Sequence, residues 1–157
     1  AGIVPKIAEF AELGVQVRLA VSLRGANDGL RSSLMPINEK YPIAELLKAT
    51  DEFTEYTNKK VSFEYVLIKG VNDRDRDAIE LSGLLRGRLC HVNLLVYNPH
   101  EFSSFEKPEK RRVSAFKNIL EDRGIECSVR RSLGDDISGA CGQLAGKKRQ
   151  ASSSRSG

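Results

Sequence analysis

The sequence predicts an α/β fold with parallel strands, built as part of a barrel, and three observations predict it. Strand-like and helix-like patterns alternate along the chain, which is the signature of βα units. The strand-like runs number about four, too few to close an eight-stranded barrel. No Gly-rich phosphate loop follows an early strand, as a doubly wound sheet would usually carry.

The elements follow in order. Ile3, Ile7, Phe10 and Leu13 recur at helical spacing, with Pro5 in the first turn and Gly14 as a stop. Residues 15–23 form a compact Val-rich run, expected as a buried strand. The turn Gly25-Ala26-Asn27-Asp28 then leads into a short helix ending near Leu34. A longer helix carries Ile43, Leu46, Leu47 and Phe53 on one side, with Pro42 near its start. Residues 61–68 are β-branched and aromatic and read as the second strand. A helix over residues 73–86 places Ala78, Leu81 and Leu85 on one stripe, and residues 90–97 form the third strand, closed by Asn98-Pro99. Residues 108–123 are helical, with Val113, Phe116, Ile119 and Leu120 inward and Gly124 at the end. Residues 125–131 are the last strand, and beyond Ser132 the chain is Gly- and Asp-rich and loop-like.

Two crossovers repeat one device, strand then loop then Asn-Asp then helix: Asn27-Asp28 and Asn72-Asp73. Capping of the following helix accounts for most of this. Both loops then lie on the rim at the strand C-termini, where parallel α/β folds and barrels build their sites. Ser22, Asn98 and the loop after Arg131 are expected to converge there.

Composition limits the function classes. The apolar runs, such as residues 92–97, are far too short to span a bilayer, so no membrane partner is expected. No charged-then-apolar leader is present, and the three cysteines Cys90, Cys127 and Cys141 are odd in number and widely spaced. Reduced thiols in a cytoplasmic setting are therefore expected. The one methionine is Met35, so the sequence reads as a fragment or a processed product. The formal charge of +4 permits a polyanionic partner, but Lys147, Lys148, Arg149 and Arg155 sit in the Ser-rich tail of residues 147–157, expected to be disordered.

The stretch with most chemistry is Gly134-Asp135-Asp136-Ile137-Ser138-Gly139-Ala140-Cys141-Gly142-Gln143-Leu144-Ala145-Gly146. A thiol between Ala and Gly has little bulk beside it, so a large substrate can approach closely. Most cysteines are nonetheless small core hydrophobes, and both readings of Cys141 stand on residue physics alone. His91 beside Cys90 suggests a metal pair only superficially. Strand neighbours point to opposite faces, which favours core packing for both. Cys127 is likewise expected to be structural. Glu64 and Lys69 fit either a barrel interior or a site. Arg130 and Arg131 fit phosphate contact at the rim, or an ion pair with Asp135 or Asp136.

The Cys141 segment closely resembles the C-terminal signature of the RlmN/Cfr family of adenine methyltransferases of ribosomal RNA. Upstream blocks match in order: Ala20-Val21-Ser22-Leu23 with Asn27-Asp28 and Arg31; Met35-Pro36-Ile37-Asn38 with Tyr41; Phe63-Glu64-Tyr65-Val66 with Gly70-Val71-Asn72-Asp73; and His91-Val92-Asn93-Leu94 with Tyr97-Asn98-Pro99. The resemblance covers residues 2–146. It implies the C-terminal part of a radical-SAM partial (βα)6 TIM-type barrel that binds S-adenosylmethionine (SAM) and a [4Fe–4S] cluster.

Cys141 is implied as the methyl carrier. It is methylated by one SAM, and the methyl group is then activated by a 5′-deoxyadenosyl radical from a second, so that an adenine ring carbon can be attacked. Such a carbon is electrophilic and cannot be methylated as a nucleophile. Ser22 and Asn98 are implied as SAM contacts, with Leu23 and Arg24 lining the same site through backbone or side chain. Arg24 stands where the family has a histidine. The implied partners are 23S rRNA, tRNA and an electron donor for the cluster. The family's Cys-x3-Cys-x2-Cys motif and its second catalytic cysteine lie N-terminal to these blocks, so no metal ligand is expected in this chain and the radical step is not expected of it alone. Methylation at adenine carbon 2 is favoured by Gly134-Asp135-Asp136-Ile137. The alternatives are a Cfr-type carbon 8 reaction and a cluster-free RNA-binding vestige.

Overall fold

The computed structural model describes residues 3–13 and 18–130. Among them, four parallel strands form one sheet in the order β1-β2-β3-β4: β1 (Ala20–Ser22), β2 (Val61–Leu67), β3 (Cys90–Val96) and β4 (Cys127–Arg130). The helices are α1 (Val4–Glu12), α2 (Asp28–Leu34), α3 (Ile43–Thr57), α4 (Asp75–Leu85) and α5 (Lys110–Asp122), with a 3-10 turn at Pro36–Glu39. Spatial order follows chain order without the reversal of a doubly wound sheet. Each crossover therefore advances the same way and returns its helix to the same face, as in a barrel wall.

Burial along β2 shows the consequence. Val61, Phe63, Tyr65 and Leu67 are buried, whereas Ser62, Glu64 and Val66 between them are half-buried. Because strand side chains alternate, one face is covered by helices and the other is the inner wall of the barrel segment. The core lies entirely on the helical side. It joins Val21, Phe63, Val92 and Leu94 to Leu46 and Phe53 of α3, Leu81 and Leu85 of α4, and Phe116 and Leu120 of α5. Phe10 stacks on Phe53 at 6.4 Å, tying α1 to α3, and Tyr65 meets Phe116 at 5.3 Å.

The expected elements are all present, with shifted ends. The expected strand at residues 15–23 is a three-residue strand among the described residues, though the ladder extends it through Ser62 N–H to the Leu19 carbonyl and Leu23 N–H to that of Glu64. The fourth helix starts at Asp75 because the two residues before Arg74 are used inside the loop. The 3-10 turn was not expected; Pro36 supplies its fixed φ after extended Met35. Gly124, at φ 81°, ends α5 as expected, donating to the Glu121 carbonyl while Ile125 donates to that of Leu120. No helix among the described residues is long and apolar enough to cross a membrane.

Candidate functional site

The register of the sheet brings four polar side chains into one row on the inner face. Ser22 pairs with Glu64, Glu64 with Asn93, and Asn93 with Ser128. Neighbours in such a row are about 5 Å apart. Ser128 Oγ donates to Asn93 Oδ1 at 2.9 Å, and His91 Nε2 lies 2.8 Å from the same hydroxyl. His91 is thus half-buried on the inner face in a hydrogen-bonded chain, not packed in the core as the sequence suggested. Cys90, on the opposite parity, is in the core as expected. Above this row sit Val66 and Leu95, half-buried and apolar, with exposed Arg130 beside Leu95.

The sequence-derived SAM contacts fall at the C-terminal rim. Ser22 ends β1 and is half-buried, and its carbonyl accepts from Arg31 Nη2 at 3.3 Å. Leu23 is fully buried among the core side chains, so its contribution to an inner-face site is restricted to backbone. Arg24 is exposed and left-handed, with φ 58°, a conformation unusual for a non-glycine residue. Asn98 follows β3 by two residues and is half-buried, on the far side of β2 from Ser22. Two strand spacings separate their strands, about 10 Å. That is a span one nucleoside-sized ligand can bridge.

Two buried polar devices shape the β1 side of this rim. The first is Arg31, fully buried, whose Nη1 donates to Asn38 Oδ1 at 2.8 Å. Asn38 Nδ2 in turn donates to Ser32 Oγ at 2.8 Å and Asp28 Oδ1 at 3.1 Å, and Asp28 Oδ1 accepts Ile43 N–H at 2.9 Å. Burial pulls the Arg31 guanidinium below its usual range, partly opposed by Asp28. Gly25 must be glycine here, because a Cβ would lie 2.8 Å from Arg31 N and 3.1 Å from its Cα.

The second device is Asn72, also fully buried. Its Oδ1 accepts Ile68 N–H at 2.7 Å, and its Nδ2 donates to the Val66 carbonyl at 2.7 Å and the Arg24 carbonyl at 2.8 Å. The Tyr65 hydroxyl donates to the Asn72 carbonyl at 3.1 Å. Asn72 therefore fastens the β1–α2 loop to the β2–α4 loop. Capping was expected of it, and it does not cap; Asp73 instead accepts Gly70 N–H within the loop, at 2.9 Å. The N-cap of α4 is Arg74, whose N–H is taken by Asp77 Oδ2 at 3.0 Å.

The loop after β3 is fastened to the same rim. Tyr97 N–H donates to the Leu67 carbonyl at 3.0 Å, and the Tyr97 hydroxyl hydrogen-bonds Ser103 Oγ. The Tyr97 ring meets Phe105 edge-on at 6.0 Å. Lys69 N–H donates to the Glu106 carbonyl at 3.1 Å and Lys69 Nζ pairs with its carboxylate at 2.9 Å. Lys69 is thus a loop tether on the outside of the rim, while Glu64 lies on the inner wall.

The inner wall fits a cationic nucleoside such as SAM, offering the Ser22 hydroxyl, a carboxylate with no partner among the described residues, and an apolar step at Val66 and Leu95. It does not fit an iron–sulfur cluster. No group of three His, Cys, Asp or Glu among the described residues can hold a metal ion. Cys90 and Cys127 share the helical side, and burial raises both thiols, that of Cys127 to about 12. Cys141, Arg131, Asp135, Asp136 and the tail of residues 147–157 lie outside the described residues.

Comparison with known proteins points one way. No family model matches the chain. It is 50% identical over 146 residues to a protein of Thermoanaerobacter sp. (strain X514) named probable dual-specificity RNA methyltransferase RlmN, covering 93% of this chain and 43% of that protein. The RlmN of Alkaliphilus oremlandii, similarly named, is 47% identical over 149 residues, covering 95% of this chain and 43% of the relative. The chain thus spans about two-fifths of the length of the curated relatives it matches. Among solved structures, a radical SAM methyltransferase from Sphaerobacter thermophilus superposes with a TM-score of 0.85 at 53% identity, covering 90% of this chain and 42% of that one. A domain of pyruvate-formate lyase-activating enzyme from Bacteroides vulgatus superposes with a TM-score of 0.62 at 18% identity, a likeness of fold alone; it covers 81% of this chain and 74% of that one.

Proposed function

Over the part that it shares with these relatives, the chain belongs to the RlmN family of radical-SAM methyltransferases, and from that premise we propose that it forms the C-terminal wall of an enzyme that methylates adenine in 23S rRNA and tRNA. The observation that carries the proposal is the identity of 50% sustained over 146 residues, nearly the whole chain. The polar inner wall described above supports it, because a radical-SAM site needs that wall to receive a nucleoside.

In this reading Ser22 and Asn98 hold SAM from opposite sides of β2, and Leu23 and Arg24 contribute backbone and rim. The left-handed turn at Arg24 is held beside the end of β2 by Asn72, whose Nδ2 donates to both the Arg24 and the Val66 carbonyls. Cys141 is the methyl carrier. Thiolate sulfur accepts a methyl group readily by displacement, and its Ala-Cys-Gly setting leaves room for a base to approach. SAM supplies the methyl group. The [4Fe–4S] cluster is assigned to cysteines outside this sequence, together with the electron donor that serves it. Methylation at carbon 2 is preferred over the carbon 8 reaction on the segment Gly134-Asp135-Asp136-Ile137. Arg130, exposed at the end of β4, is a candidate phosphate contact.

The test is mass spectrometry of the Cys141 peptide from the full-length protein produced in cells that supply SAM. An S-methyl group on Cys141 is expected, and it is absent in Cys141→Ala. A wholly unmodified Cys141 thiol in protein carrying its full cluster overturns the reading.

A further inference from the structure

Glu64 is the one carboxylate that β1, β2 and β3 place on the inner face. It is half-buried, yet its carboxylate makes no hydrogen bond or ion pair with any described residue. Other shielded carboxylates of the chain are treated differently. Asp77 takes the Arg74 N–H and side chain, Asp73 takes Gly70 N–H, and Asp51 pairs with Arg88 at 3.0 Å. The neighbours of Glu64 in its row supply no charge. On one side is the Ser22 hydroxyl, and on the other is Asn93, whose Oδ1 is already occupied by Ser128.

An ionised carboxylate has acceptors only, and shutting it away from water without a counter-charge is costly. Water can serve it while the wall is open. A ligand that covers the wall must replace that water with positive charge or donors. A neutral ligand would leave the charge uncompensated, whereas a sulfonium nucleoside brings a fixed positive charge to it. Resting on the SAM reading given above, we propose that Glu64 is a further SAM-binding residue. Its carboxylate faces the sulfonium and distinguishes the charged cofactor from its neutral-sulfur product.

Equilibrium binding of SAM and of S-adenosylhomocysteine to the full-length holoprotein tests this, because the two ligands differ at sulfur and share the ribose, adenine and amino acid. Glu64→Gln keeps the size of the side chain and removes its charge. It is expected to weaken SAM binding on the order of tenfold while changing S-adenosylhomocysteine binding by less than about threefold. Glu64→Asp keeps the charge and is expected to retain most of the wild-type preference, and Glu64→Ala gives the same reading as Glu64→Gln should the amide variant fail to fold. Equal losses for both ligands, or no loss for either, overturn the proposal and leave the methyltransferase reading standing. Failure of the wild-type protein to bind SAM at all overturns both.

Discussion

The two rim loops carry the same Asn-Asp pair after a strand and before a helix, yet the pairs do different things. In the first loop Asn27 is exposed and caps α2, its side chain accepting Leu30 N–H at 2.8 Å. Asp28, the first residue of that helix, reaches forward to the start of α3. In the second loop Asn72 is buried, makes three side-chain hydrogen bonds and caps nothing. The difference lies in what surrounds the side chain. Asn27 faces water and one row of helical N–H groups, while Asn72 sits between two strands' ends with backbone groups on both sides. A dipeptide specifies a set of donors and acceptors, and burial decides how many of them must be used.

The largest break in this comparison is at Asn72. Replacing it with Ala leaves Ile68 N–H and the Val66 and Arg24 carbonyls without their partner in a dry place, at about 1–3 kcal/mol for each group left truly unsatisfied. A loss of about 3–5 kcal/mol in urea unfolding is expected. Asn72→Asp is expected to be no better, since it sets a carboxylate oxygen against two carbonyl oxygens. Asn27→Asp, by contrast, is expected to stay within about 0.5 kcal/mol, because Asp caps as well as Asn. Its repulsion from Glu80, which now accepts from Asn27 Nδ2 at 3.2 Å, is offset by the favourable helix N-terminus. Equal tolerance of Asp at both positions would erase the distinction.

Next in size is Gly25→Ala, on the first loop. The added methyl group meets the backbone of Arg31, which cannot rotate away, so about 1–3 kcal/mol is expected in the same measurement. Smaller still is Tyr65→Phe, which removes one hydrogen bond to the Asn72 carbonyl, about 1 kcal/mol. That variant also carries a pH signature. Burial, reinforced by Asp77, Glu80 and Asp73, raises the Tyr65 hydroxyl well above its usual range. The folded state then holds this proton more tightly than the unfolded state. Its contribution is complete below the ordinary tyrosine value of about 10 and is lost as pH rises above it. The alkaline decline in stability is expected to be shallower in Tyr65→Phe than in the wild-type chain.

Much of the architecture was legible in the sequence because hydrophobic period is a direct imprint of burial. Ile43, Leu46, Leu47 and Phe53 repeat at helical spacing and are buried on α3, and the alternation through Val61, Phe63 and Tyr65 gives β2 its two faces. The rim positions of Ser22 and Asn98 followed from parallel strands alone. What was not legible depends on pairing register, which no local pattern encodes. The row from Ser22 to Ser128, and the contact of His91 with Ser128, need the alignment of strands distant in sequence. The signal that could have found His91 was its parity with Asn93 and Leu95, set against Cys90, Val92 and Leu94. The Asn72 clamp was hidden for the same reason, since one of its partners, Arg24, is far away along the chain.

The smallest effect sharpens the comparison from the first loop's side. Asn27→Ala removes one cap from a seven-residue helix whose Leu30 N–H can turn to water. A cap is typically worth about 1 kcal/mol, and an exposed one on so short a helix belongs near the low end, about 0.5 kcal/mol. Amide exchange gives the finer readout. The Leu30 amide is expected to exchange faster in Asn27→Ala while that of Ile68, held by Asn72, keeps its wild-type rate. The two loops are joined through Asn72 to the Arg24 carbonyl, so acceleration at both amides would mean that the cap supports the clamp. Acceleration at Leu30 alone means that the two Asn side chains act independently, one on its own helix and the other across the rim.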